Sequence, residues 1–116
     1  MYSPNRLAGL RRSAEASLSQ ANQLITRGEY AKAEQLCQSA LIEWRRSSGP
    51  KAEENRLVCV LGKCLEAQCK YEQAYELYME TLPNLKGEAY DDVYPSLLYL
   101  SERMGTFRKK EEDRLW

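Results

Sequence analysis

Apolar residues recur along the chain at three- and four-residue steps, and no stretch sustains the alternation of a half-buried strand. Leu7, Leu10, Ala14, Leu18, Ala21 and Ile25 predict an amphipathic helix opened by Ser3-Pro4 and ended by Gly28. A second helix is expected from Tyr30 to Arg46, with Ala33, Leu36, Cys37, Ala40, Leu41 and Trp44 on its apolar side. Ser47-Ser48-Gly49-Pro50 then breaks the chain. Leu57, Val58, Leu61 and Leu65 mark a third helix, from Ala52 to Gln68. A turn at Cys69-Lys70 leads to a fourth, carrying Tyr71, Ala74, Tyr75, Leu77, Tyr78 and Leu82 and stopped by Pro83. Asp91 and Asp92 suit the start of a fifth helix, with Pro95 confined to its first turn and Gly105 as its stop. Phe107 to Leu115 would be a short, charged sixth. The expected fold is all-α, three helix–turn–helix hairpins in one domain spanning residues 1–116.

Two of the hairpins repeat one another. Tyr30, Ala33 and Leu41 return as Tyr71, Ala74 and Leu82, and a weaker third start appears at Gly105-Thr106-Phe107. Repetition on this scale predicts a solenoid rather than a closed bundle, and a binding surface rather than an active site. The units cover about residues 14–47, about 52–86 and, as a partial or capping unit, about 91–116.

Composition narrows the chemistry. Lys plus Arg and Asp plus Glu number 17 each, so net charge is zero and no global field favours nucleic acid or anionic membrane. The basic clusters Arg45-Arg46 with Lys51 and Arg56, and Arg108-Lys109-Lys110, are interrupted or followed by acids and fit solvated helix faces. No apolar run is long enough for a membrane span, and no secretory h-region follows Met1. There is no histidine, which removes every mechanism built on an imidazole. Cys37, Cys59, Cys64 and Cys69 match no zinc spacing, so reduced structural thiols in an intracellular, cytoplasmic protein are expected, with no metal and no cofactor. The stripe Tyr71, Tyr75 and Tyr78 is expected to pack between hairpins. No catalytic residue is assigned, and the chain is not expected to be an enzyme.

The pattern resembles the tetratricopeptide repeat. In the first unit Ala21, Leu24, Gly28, Tyr30, Ala33, Ala40 and Leu41 match that family. In the second Leu61, Gly62, Leu65, Tyr71, Ala74, Tyr78 and Leu82 match, and in the third Leu97, Leu98, Gly105 and Phe107. Ala33 and Ala74 stand 41 residues apart, a long unit ending in Gly49-Pro50 that looks like the kinesin-light-chain subclass.

The resemblance implies a right-handed α-α superhelix whose first helices line a concave groove holding a peptide or amphipathic helix of another protein. Mapped residue by residue, the groove positions are Glu15, Leu18, Asn22 and Ile25; Arg56, Cys59, Lys63 and Glu66; and Asp92, Tyr99, Glu102 and Arg103. Of the carboxylate clamp of chaperone-binding members only Asn22 is present. Leu18, Val60, Asp92 and Ser96 occupy the other clamp positions, so chaperone tails are not expected ligands. The resemblance thus implies an interaction module or adaptor. The alternative is an assembly unit, or a part of a longer repeat protein, that self-associates or docks through its ends, where the apolar pair Leu115 and Trp116 would serve.

Overall fold

The computed structural model describes the backbone of residues 4–115 and the side chains of residues 6–88 and 90–105. Five α-helices follow in order: α1 (Pro4–Thr26), α2 (Tyr30–Arg46), α3 (Lys51–Ala67), α4 (Tyr71–Thr81) and α5 (Glu88–Leu115), with one 3₁₀ turn, Leu82–Asn84, between the last two. Each packs on the next, and α1 also touches α3 as α3 touches α5. This is an α-α superhelical repeat: α1–α2 and α3–α4 are its hairpins, and α5 opens a third unit.

Three helix ends are closed in the same way. At α1 the Gly28 amide donates to the Ile25 carbonyl (2.9 Å) and the Glu29 amide to Leu24 (2.8 Å). Cys69 with Lys70 and Ser48 with Gly49 repeat this pairing at the ends of α3 and α2. The motif needs a left-handed residue, and glycine supplies it only once: φ is +78° at Gly28, but +62° at Cys69 and +52° at Ser48. None of α2, α3 and α4 begins with a side-chain cap.

The core is one cluster running from Ala14 to Leu100. Small residues set the spacing within hairpins. Ala21, Ala33 and Ala74 are fully buried, and a Cβ added at Gly62 would overlap the Tyr78 ring. Trp44 holds the junction between units: it is 1% exposed, its indole Nε1 donates to the Pro50 carbonyl (2.9 Å), and Gly49 lies flat against its ring. Cys37 and Cys64 meet across α2 and α3, where their mutual hydrogen bond and then burial push the Cys37 thiol up. The Glu34 carboxylate, at 9% exposure, accepts from Gln68 (2.7 Å) and Lys70 (2.9 Å) and ties α2 to the α3–α4 turn.

The third unit departs from expectation. Helix α5 begins earlier than predicted, carries Pro95 well inside it and runs through Gly105, so the turn and the separate sixth helix do not form. Pro95 costs the helix about 3 kcal/mol, which the burial of Val93, Leu97 and Leu100 on the side opposite its exposed ring offsets. Gly105 has open space around it and weakens a helix by only about 1 kcal/mol, which does not force an end. At 1.5 Å per residue α5 is roughly 42 Å long, and the molecule measures 61 × 31 × 23 Å.

Candidate functional site

The first helices of the three units, α1, α3 and α5, stand side by side, and the predicted groove positions fall on them. On α1, Glu15 and Asn22 are exposed and Ile25 is half-buried against the core. Leu18 is 7% exposed and belongs to the core, so the apolar contact expected of it is spent inside the fold.

On α3, the Arg56 guanidinium bonds the Glu15 carboxylate at 2.8 Å, crossing from the second unit to the first. The expectation that Arg56 is free for an acidic partner therefore changes: it already has an acid, though both side chains are well exposed. One turn on, Cys59 is half-buried beside Lys63 and Asp92. Burial pushes its thiol up; Lys63 opposes that and Asp92 adds to it, the reverse of what a reactive thiolate needs. Glu66 is also half-buried. Its carboxylate accepts from the Tyr78 hydroxyl (3.1 Å) and from Ser96. Burial holds its pKa above the usual range, against the pull of Tyr78, Lys63 and Ser96.

On α5, Tyr99 and Arg103 form one feature with Tyr71. The Tyr71 and Tyr99 rings meet edge to face at 6.4 Å. The Arg103 guanidinium lies 5.6 Å from the first ring centroid and 5.2 Å from the second, and its Nε donates to the Tyr99 hydroxyl (2.9 Å). At the edge of the group the Tyr71 hydroxyl contacts the Cys69 sulfur at 3.5 Å. Glu102 is exposed beside it. No carboxylate among the described residues bonds Arg103. The four-residue spacing of Tyr99 and Arg103 is readable in the sequence; the arrival of Tyr71 depends on how α4 packs on α5 and is not. Leu115 has no described side chain and Trp116 lies outside the described residues altogether.

The face thus offers charges, hydroxyls, the exposed Tyr99 ring and the half-buried Tyr71 ring, with no nucleophile–base pair among the described residues. Among the described residues no cluster could hold a metal ion, and no helix is long and apolar enough to cross a membrane.

No protein-family model and no curated protein matches the chain. Among solved structures, the crystal structure of the TPR domain of Arabidopsis FLU is similar, with a TM-score of 0.62 at 22% sequence identity, covering 91% of this chain and 97% of that one. Helix order, hairpin pairing and this likeness together give the chain a tetratricopeptide-repeat-like fold.

Proposed function

We propose that the chain is a non-catalytic protein-interaction module, an adaptor that holds a peptide or amphipathic helix of a partner protein along the α1–α3–α5 face. The observation that carries this function is Arg103, a cation pinned by two tyrosine rings and bonded to no acid among the described residues. Arginine and tyrosine dominate the residues that anchor protein partners, because rigid, partly apolar groups lose little freedom on binding. Lys63 supplies a second exposed cation on the same face. Asn22 would bond the partner backbone, Ile25 and Tyr99 would give apolar contact, and Glu66 and Glu102 would meet basic side chains. Glu15 and Arg56 would act as a pair that opens only to a partner offering both charges. The long first unit with its Gly49-Pro50 exit favours the kinesin-light-chain-like subclass, and a reducing, intracellular setting suits four cysteines that need no pairing to fold. No nucleic acid partner is expected from a neutral chain.

The test is capture from source-cell lysate by the wild type and by the Lys63→Glu/Arg103→Glu variant, side by side. A protein held by the wild type alone, with both chains equally helical by circular dichroism, is the expected result. Equal capture by the two refutes the assignment of this face.

A further inference from the structure

Helices α1 and α2 form the walls of an open groove of about 480 Å³. Its α1 wall carries Gln20, Gln23, Leu24 and Arg27. At about 100° per residue these lie nearly opposite Glu15, Asn22 and Ile25, so the groove is separate from the α1–α3–α5 face. Leu24 is half-buried against the core, as is Leu36 on the α2 wall, while the polar residues of the groove are exposed.

The second unit indicates what such a groove seats. With Ala33 aligned on Ala74, the α1 wall falls on Leu61, Cys64, Leu65 and Gln68 of α3. That row is the seat of α2: Cys64 meets Cys37, and the Glu34 carboxylate of α2 accepts from Gln68 at 2.7 Å. Leu61, Cys64 and Leu65 are buried by it. Helix α1 repeats the seat with different chemistry. Gln20 and Gln23 stand for Leu61 and Cys64, and the cation Arg27 for the neutral Gln68. The α2 wall changes in the same direction, with Gln35 and Ser39 where α4 carries Glu76 and Glu80. The lining therefore holds two cations, Arg27 and Lys32, and no acid. Lys32 is bonded to Glu29 (3.1 Å), which stands in the place of Lys70. The side chains of Gln20, Gln23, Arg27 and Gln35 bond no other described residue. An apolar helix laid here would strip water from these amides without replacing their bonds, at about 1–3 kcal/mol each.

We propose that this groove docks an acidic α-helix of a partner protein, seated on α1 as α2 is seated on α3. A carboxylate in the place of Glu34 meets Arg27. In the second unit a neutral amide holds that carboxylate; here a guanidinium offers it two parallel N–H donors and a full opposite charge. Each glutamine presents a carbonyl and an amino group, and so pairs with further carboxylates or amides on the same face of the docked helix. Leu24 and Leu36 leave one apolar contact between them. The groove and the α1–α3–α5 face lie on opposite sides of α1, so the two assignments stand or fall separately.

The experiment is fluorescence anisotropy of the full chain with labelled, hydrocarbon-stapled helical peptides of about five turns. One carries leucine and glutamates along a single face of an alanine–glutamine background; a second has lysines in place of the glutamates; a third has the composition of the first with central prolines that prevent the helix. The glutamate helix is expected to bind saturably, and the other two about tenfold more weakly or less. Arg27→Glu should weaken the glutamate helix about tenfold with unchanged circular dichroism. Lys63→Glu/Arg103→Glu, which reverses the other face, should bind it as the wild type does. A wild type that binds none of the peptides overturns the proposal and leaves the groove as a solvated polar end of the repeat. Equal binding of the glutamate and lysine helices overturns it too, as does equal binding of the proline peptide. A glutamate helix held by Arg27→Glu but lost by Lys63→Glu/Arg103→Glu moves the contact to the α1–α3–α5 face and refutes the groove alone.

Discussion

Gly62 offers the sharpest check on how the hairpins are held together. It lies in the interior of α3, where glycine weakens a helix by about 1 kcal/mol relative to alanine. On propensity alone Gly62→Ala should stabilise. The structure reverses that sign, because the new methyl would overlap the Cε1, Cζ and Oη atoms of Tyr78. Tyr78 is 2% exposed and its hydroxyl is bonded to Glu66, so a rigid ring, rather than the loose end of a chain, must give way. Overpacking of this kind costs about 1–3 kcal/mol, and displacing the hydroxyl from Glu66 adds about 1 kcal/mol. After the propensity gain, the net loss is about 1–3 kcal/mol.

Gly9 is the control. It is also inside a helix, but a Cβ there meets nothing within 4 Å. Gly9→Ala should therefore gain about 0.5–1 kcal/mol. Thermal unfolding followed by far-ultraviolet circular dichroism reads both, at roughly 4 °C or more per kcal/mol for a chain of this size. Gly62→Ala should melt about 4–12 °C below the wild type and Gly9→Ala a few degrees above it. A double-mutant cycle with Tyr78→Leu should return a coupling of about 1 kcal/mol or more, since the smaller side chain makes room for the methyl. A Gly62→Ala chain as stable as Gly9→Ala would refute the close approach of α3 to α4, and with it the packing on which the repeat depends.

Cys69→Gly should stabilise the chain by about 1 kcal/mol in urea unfolding, because Cys69 holds φ at +62° and glycine adopts that conformation freely, as Gly28 does in the first unit. The acid limb of the stability curve should lean on Glu54, which is 6% exposed and bonded by Arg45 (2.7 Å) and Lys51 (2.9 Å). Burial pushes its pKa up, but those hydrogen bonds outweigh burial and hold it below the usual carboxylate range; its contribution is present above that range and fades as pH falls through the lowered value. Glu54→Gln should flatten the acid limb in urea titrations. Glu66 has the opposite sign, since its raised pKa gives a contribution that is complete at low pH and lost as pH rises through that value. Glu66→Gln should leave stability unchanged or higher at neutral pH.

Most of the fold was legible because its determinants are local. The small residues Ala21, Ala33 and Ala74, the turn residues Gly28 and Gly49-Pro50 and the spacing of the apolar faces each act within a few residues, and all lie where the repeat requires. The third unit misled for a related reason. Pro95 and Gly105 carry local penalties of about 3 and about 1 kcal/mol that burial of Val93, Leu97 and Leu100 offsets. Leu18 sits between a groove position and a core position, and a fraction of a helical turn decides which; periodicity does not resolve so small a rotation. The meeting of Cys37 with Cys64, and of Tyr71 with Arg103, depends on where helices far apart in sequence cross, which no spacing rule records.

Arg56 and Arg103 show why the number of cations on a face is a poor guide to what the face recognises. Arg56 is held by a carboxylate, so an acidic partner must displace Glu15 before gaining anything, and both charges already lie in water, where such a pair contributes little. Arg103 is held by ring faces and a phenol, which fix its guanidinium without neutralising it. Its side-chain entropy is lost on folding, so a carboxylate arriving there meets a cation that needs no further ordering. The same helix turns Tyr90, Tyr94 and Leu98 to its opposite side, where they are exposed. One helix thus carries two chemically distinct surfaces: a cation held by aromatic rings on one side, and an exposed stripe of two stacked tyrosines and a leucine on the other.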